Sequence, residues 1–205
     1  MLWAIVKSCN WVDVFILIIL IRICYISLKI GFVAEVFKLA GLLFSMYLAC
    51  HYFTFISDLI STNVKLRYLP PLMPVEFLDF IVFVLLVFVG YGLFVLLRET
   101  LGKLIHTEAV ATLNKWGGLL VGFIRGVLLA SLVAFMLSIT SISYFKNSTY
   151  QSYFGSRLFY VTPVIYSGMW NGLISKFMVF EKYNKTVDEI RDDFSAPPKV
   201  KKEKE

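Results

Sequence analysis

The sequence predicts an all-α integral membrane protein, with four transmembrane helices, interfacial helical segments and a short disordered C-terminal tail. Three observations predict it. The 205 residues are 59% hydrophobic and 17% charged, with a mean hydropathy of +0.76, whereas soluble domains run at about 45–50% apolar and about 25% charged. Four stretches reach the roughly 20 apolar residues that a helix needs to cross hydrocarbon. These stretches are continuous runs and not period-two alternations, which excludes a β-barrel.

The charges are unevenly placed. Residues 181–205 hold 14 of the 34 charged residues, seven basic and seven acidic, so the formal excess of +6 belongs entirely to the apolar body. There the basic residues are spaced between apolar runs, as juxtamembrane residues are. A nucleic-acid binder would gather them on one face, so nucleic acid is not an expected partner.

The first span covers about 11–30, with Asp13 near its start and Arg22 near its middle. The second, about 33–56, contains LAGLLFSMYLACHYFTFI. Its link to the first is very short, with Gly31 as the obvious breaker, so the two spans should form a tight antiparallel hairpin. The link from Thr62 to Val75 carries three prolines in five residues, which exclude a helix there. The third span, about 77–97, begins beside Asp79, and its last 18 residues carry no charge. A short amphipathic helix is plausible in the link from Arg98 to Lys115, with Leu101, Leu104, Ile105, Glu108 and Thr112 on one stripe.

The fourth span covers about 116–143. The segment 144–180 that follows is rich in tyrosine, phenylalanine and tryptophan and broken by Pro163, Gly168 and Gly172. It reads as an interfacial segment, since Tyr and Trp favour membrane boundaries. Residues 1–180 thus form one transmembrane domain. Residues 181–205 form a polar tail, largely disordered, with Thr186 and Glu189 as a capping box before a short helix that carries Val187, Ile190 and Phe194 on one side.

Within the spans, two patterns are informative. In the fourth, Gly118, Gly122, Gly126, Ala130, Ala134 and Ser138 recur every four residues; in the second, Gly41, Ser45 and Ala49 do so. Small residues let helix backbones approach closely, which drives association where lipid removes the hydrophobic term. The natural inference is that these two helices pack on each other; the alternative is that one stripe makes a homodimer. The second pattern is charge at depth. A central Arg costs about 2.5–3.5 kcal/mol on insertion scales, so Arg22 should face the bundle with a partner, or snorkel. Glu35 and Arg125 lie near the same membrane face, on the two helices expected to pack, and form the most economical ion pair; Arg98, Glu99 and Lys38 compete. Asp13 and Asp79 enter from the opposite face, where acids suit helix N-termini. His51 and His106 read as isolated interface residues.

No catalytic constellation is present: no G-x-S-x-G, no H-E-x-x-H and no phosphate-binding Gly-rich loop. The three cysteines form no C-x-x-C pair. A non-enzyme without metal or cofactor is expected. Its partners would be the lipid bilayer and either further copies of itself or other membrane proteins. Counting basic residues in the links, the positive-inside rule puts Lys29, Lys38, Arg98, Lys103 and Lys115 on the cytoplasmic side.

Three segments together resemble the colicin V production protein (CvpA) family of bacterial inner-membrane proteins. They are Asp13 at the start of the first span, KIGFVAEVFKLAG with Gly31, Glu35 and Gly41, and NKWGGLLVGFIRG with Asn114, Gly118, Gly122, Arg125 and Gly126. The resemblance covers about residues 10–165. Arg22 departs from it, standing where the family usually has a small or apolar residue, as does the longer charged tail. The resemblance implies a four-span inner-membrane protein that supports production or export of a secreted peptide toxin, and it leaves a transport- or channel-like role open. The alternative is a scaffold that recruits partners through its interfacial region and tail.

Overall fold

The computed structural model describes residues 10–63, 75–102, 111–140, 142–178 and 181–195, with the backbone alone given for 63, 75, 76, 98–102 and 111–113. The described residues are almost wholly helical, without strands. Four helices are long and apolar enough to cross a membrane: α1 (Trp11–Ile30), α2 (Phe32–Asn63), α3 (Val75–Gly102) and α4 (Ala111–Ile139). The chain is a multi-pass membrane protein.

The bounds of α1 coincide with the sequence reading because Gly31, at φ +93°, takes a conformation that other residues rarely adopt. Helix α2 runs seven residues past the expected end at Ile56. Its last turns read ISTN, and the Ser61 and Thr62 hydroxyls donate to the Asp58 carbonyl at 2.9 and 2.7 Å, partnering an acceptor near the helix end. At about 1.5 Å per residue, α2 is longer than the roughly 30 Å hydrocarbon layer and must tilt or protrude. Helix α4 ends four residues before the expected 143. There the Thr140 hydroxyl accepts from the Ile142 amide, a local bond that competes with helix continuation.

The hairpin expectation for the first two spans is corrected. Helices α1 and α2 hardly touch; α4 lies between them and packs on both, while α3 packs along the far side of α2. The order across the bundle is therefore α1, α4, α2, α3. The main core joins Leu42, Met46 and Phe53 of α2, Phe83 of α3, and Leu132 and Phe135 of α4.

The segment after α4 folds as a chain of short helices: α5 (Ser143–Gln151), α6 (Tyr153–Leu158), α7 (Val161–Met169), a π-turn at Trp170–Ile174, and α8 (Ser175–Phe177). The tail then contributes α9 (Thr186–Ser195). Together they cap the end of the bundle opposite Gly31. A row of rings ties cap to bundle. Phe53, Phe83, Phe135, Phe159 and Phe194 follow one another with centroids 5.7, 5.7, 5.5 and 4.0 Å apart. Val187 and Phe194 are buried, so α9 docks by the side expected of it. Its start differs in detail: the Asn184 carboxamide oxygen accepts from the Thr186 amide at 3.2 Å, so the cap comes from Asn184. The proline-rich link, residues 103–110 of the third link with His106, and residues 196–205 of the tail lie outside the described residues.

Candidate functional site

The site begins at the turn between α1 and α2. The first amides of a helix have no partner within it. Here the Phe32 amide donates to Asn114 Oδ1 of α4 at 2.6 Å. The same carboxamide fills the space that a side chain on Gly31 would need, with its atoms 2.5–2.8 Å from where a Cβ would sit. One α4 residue thus caps α2 and fixes the turn.

From Asn114 inward, glycines hold α4 against α1. A Cβ on Gly118 would meet the Ser27 carbonyl and Gly31 at 2.9–3.1 Å; on Gly122 it would lie 1.9 Å from Ser27 Oγ; on Gly126 it would meet Leu20 at 3.0 Å. The expected packing of α2 on α4 holds, but the glycines of the α4 stripe face α1 and not the α2 stripe. Gly41 faces Phe94 of α3, and Ser45 backs onto Gly90 of α3. Ala49 lies in the main core. The stripe glycines join α4 to α1 and α2 to α3, while Gly117, beside the stripe, brings α4 against Phe32 of α2. The physical reason lies in the spacing. Each step of four residues turns about 40° beyond a full helical revolution, so the stripe winds around α4. Its glycines and Ala130 reach the α1 side, while Ala134 joins the α2 core.

Glu35, one turn into α2, is completely buried. Its Oε2 accepts from Arg125 Nε at 2.8 Å and its Oε1 from Lys38 Nζ at 3.0 Å. The two cations are largely covered, with side chains 13% and 17% exposed. A carboxylate in apolar surroundings persists only when paired and hydrogen-bonded, and here both oxygens are. The side chains of the other competitors, Arg98 and Glu99, are outside the described residues.

A family model described as colicin V production protein matches residues 12–163. The chain belongs to the colicin V production protein family. No curated protein and no solved structure matches it. In this member of the family, residues from the two remote segments that carried the resemblance meet at one junction: Gly31 and Glu35 from the first, Asn114, Gly118, Gly122 and Arg125 from the second.

Asp13 lies at the other end of the bundle and does more than mark a helix start. It accepts from Ser152 Oγ at 2.6 Å, the Phe154 amide at 2.7 Å, the Tyr153 amide at 3.1 Å and the Asn10 amide at 3.2 Å. It therefore anchors the first turn of α6 to α1. Asp79 sits half-buried near the start of α3. Arg22 does not face the bundle. It is exposed on α1 beside Ile18, Ile21 and Tyr25, and it forms no ion pair with a described residue.

His51 is also not the isolated interface residue expected. It is buried, with Nδ1 3.0 Å from the Tyr166 hydroxyl and Nε2 3.0 Å from Glu181 Oε2, and its ring stacks on Tyr47 and Trp170. Asn184 continues this latch, donating from its side chain to the Cys50 carbonyl at 2.8 Å and from its amide to the Tyr166 hydroxyl at 3.0 Å. Burial lifts the Tyr166 phenol above its ordinary range and the Tyr183 phenol to about 12. His51, Tyr166 and Glu181 lie more than a hundred residues apart in places, so no local pattern announces them.

Proposed function

We propose that this protein is a non-catalytic component of the bacterial inner membrane that supports toxin production or export as a membrane platform for partner proteins, rather than as a conduit. The observation that carries this reading is that the two buried carboxylates among the described residues, Glu35 and Asp13, have both oxygens occupied by protein donors. Glu35 is taken by Arg125 and Lys38, and Asp13 by a hydroxyl and three amides. A conducting path needs polar groups facing shared water. In the transport- or channel-like alternative, that path would pass Arg22, Glu35 and Arg125. Arg22 lies about 140° around α1 from Ser27, the residue that packs against α4 near Glu35, which counts against it.

On the positive-inside reading, the Gly31 junction lies on the cytoplasmic side and the cap on the periplasmic side, where it offers a surface to partners. A reporter fused after Glu205 tests the orientation. The central test is reconstitution of the purified full chain into vesicles loaded with a small anionic dye. A platform leaves release at the level of empty vesicles while the gene restores toxin production in a deletion strain. Sustained release that disappears in Glu35→Gln would overturn the proposal in favour of a conduit.

A further inference from the structure

Helices α3 and α4 both pack along α2 but make far less contact with each other. A half-open groove of about 370 Å³ results between them. Leu42 of α2 lines its floor, Val87 and Phe88 of α3 one wall, and Leu129, Val133 and Met136 of α4 the other. Its lining is overwhelmingly apolar, and Phe88 at the rim is 73% exposed, so the mouth opens to whatever surrounds the helices. In a multi-pass protein that is the bilayer. From Arg125 to Met136, α4 advances about 16 Å, a distance suited to a hydrocarbon chain lying along it.

One end of the groove is charged. Arg125 lines it there, and only its Nε is engaged, by Glu35. Among the described residues, its two Nη groups have no hydrogen-bond acceptor. Among the described side chains the local charge also fails to balance: Arg125 and Lys38 bring two positive charges and Glu35 one negative. An unneutralised positive charge at the edge of hydrocarbon is costly. A planar guanidinium with free donors matches a phosphate.

We propose that this groove seats one acyl chain of an anionic phospholipid, with its phosphate on the Nη groups of Arg125. The lipid supplies the missing negative charge and fills the apolar channel between α3 and α4. The assignment goes beyond the platform reading and holds whether or not the protein conducts.

The test uses the full chain in nanodiscs containing phosphatidylglycerol with a photoactivatable group in its acyl chain, set against phosphatidylcholine carrying the same chain. Cross-linked peptides are mapped by mass spectrometry. Phosphatidylglycerol should label residues 84–91 and 129–136 several-fold more strongly than phosphatidylcholine does, and unlabelled phosphatidylglycerol should compete. Inorganic phosphate and a free fatty acid should not compete. Val87→Phe and, as a second variant, Val84→Phe narrow the groove without touching the ion pair, and both should lose the label while keeping the wild-type thermal midpoint. Equal labelling by the two lipids would mean ordinary boundary lipid and would overturn the proposal. So would full competition by the fatty acid, or unchanged labelling in both folded variants.

Discussion

Gly122→Ala tests the α1–α4 contact most sharply. A methyl at this position would sit 1.9 Å from Ser27 Oγ and 2.3 Å from Ser27 Cβ. Rotating the hydroxyl away relieves the first clash and leaves the second, because Cβ moves only with its backbone. To regain ordinary carbon contact near 3.5 Å, the helices must part by about 1.2 Å. Overpacking of this kind costs typically about 1–3 kcal/mol. Ser27→Gly removes the obstructing atoms. By itself it loses the Ser27 Oγ bond to the Ile23 carbonyl and costs about 1 kcal/mol of helix propensity. The double variant should therefore be little worse than Ser27→Gly alone, with a favourable coupling of about 2 kcal/mol where independent effects would add. Gly92→Ala serves as the control, since nothing lies within 4 Å of its added carbon, and it should be neutral or slightly stabilising. The assay is reversible unfolding in mixed micelles as the denaturing detergent fraction rises, followed by circular dichroism. A Gly122→Ala protein as stable as wild type, or a strictly additive double variant, would refute the packing argument.

Three further outcomes follow from the same geometry. Asn114→Ala should lower stability by about 1 kcal/mol in that unfolding assay through loss of the α2 cap, and Gly31→Ala by more, since it combines a positive φ with a clash against the Asn114 carboxamide. Asp13→Ala should release the cap, seen as faster amide hydrogen exchange at Tyr153 and Phe154 while exchange in α2 and α3 stays slow; uniform protection would contradict the anchoring role. Tyr183 is held protonated up to about 12, above the ordinary phenol value of 10. Its contribution is therefore complete below pH 10 and is lost as pH rises towards 12, so Tyr183→Phe should flatten the decline in thermal midpoint over that window.

The four spans were legible because a run of some 20 apolar residues has few other fates. The proximity of Glu35 to Arg125 could be reasoned from link parity and depth, since both charges had to lie near one face. The partner of the small-residue stripe could not. A period of four winds around the helix, so the sequence shows that α4 is smooth without showing which neighbour meets each glycine. The hairpin reading of α1 and α2 missed α4 between them, because a short link fixes adjacency in sequence while packing decides adjacency in space. The His51 latch was invisible for a related reason: Glu181 looked like one charge in a polar tail, and only the fold brings it to α2. Of the two expectations for Arg22, facing the bundle or snorkelling, the structure excludes the first, since Arg22 is exposed on α1; the depth of a residue along a helix says nothing about its direction around it.

Toxin production by the Glu35→Gln, Arg125→Met and double variants, each normalised to membrane-embedded protein, tests the central claim most directly. If Glu35 and Arg125 serve to close the junction, Glu35→Gln falls furthest, because Arg125 and Lys38 then share no carboxylate; breaking a buried pair costs about 3–5 kcal/mol. Arg125→Met, which leaves Lys38 on Glu35, falls less. The double variant then recovers to the Arg125→Met level or above, since only Lys38 remains and its side chain is partly exposed. A folded double variant as inactive as Glu35→Gln would mean that the charges themselves act, and would contradict the account.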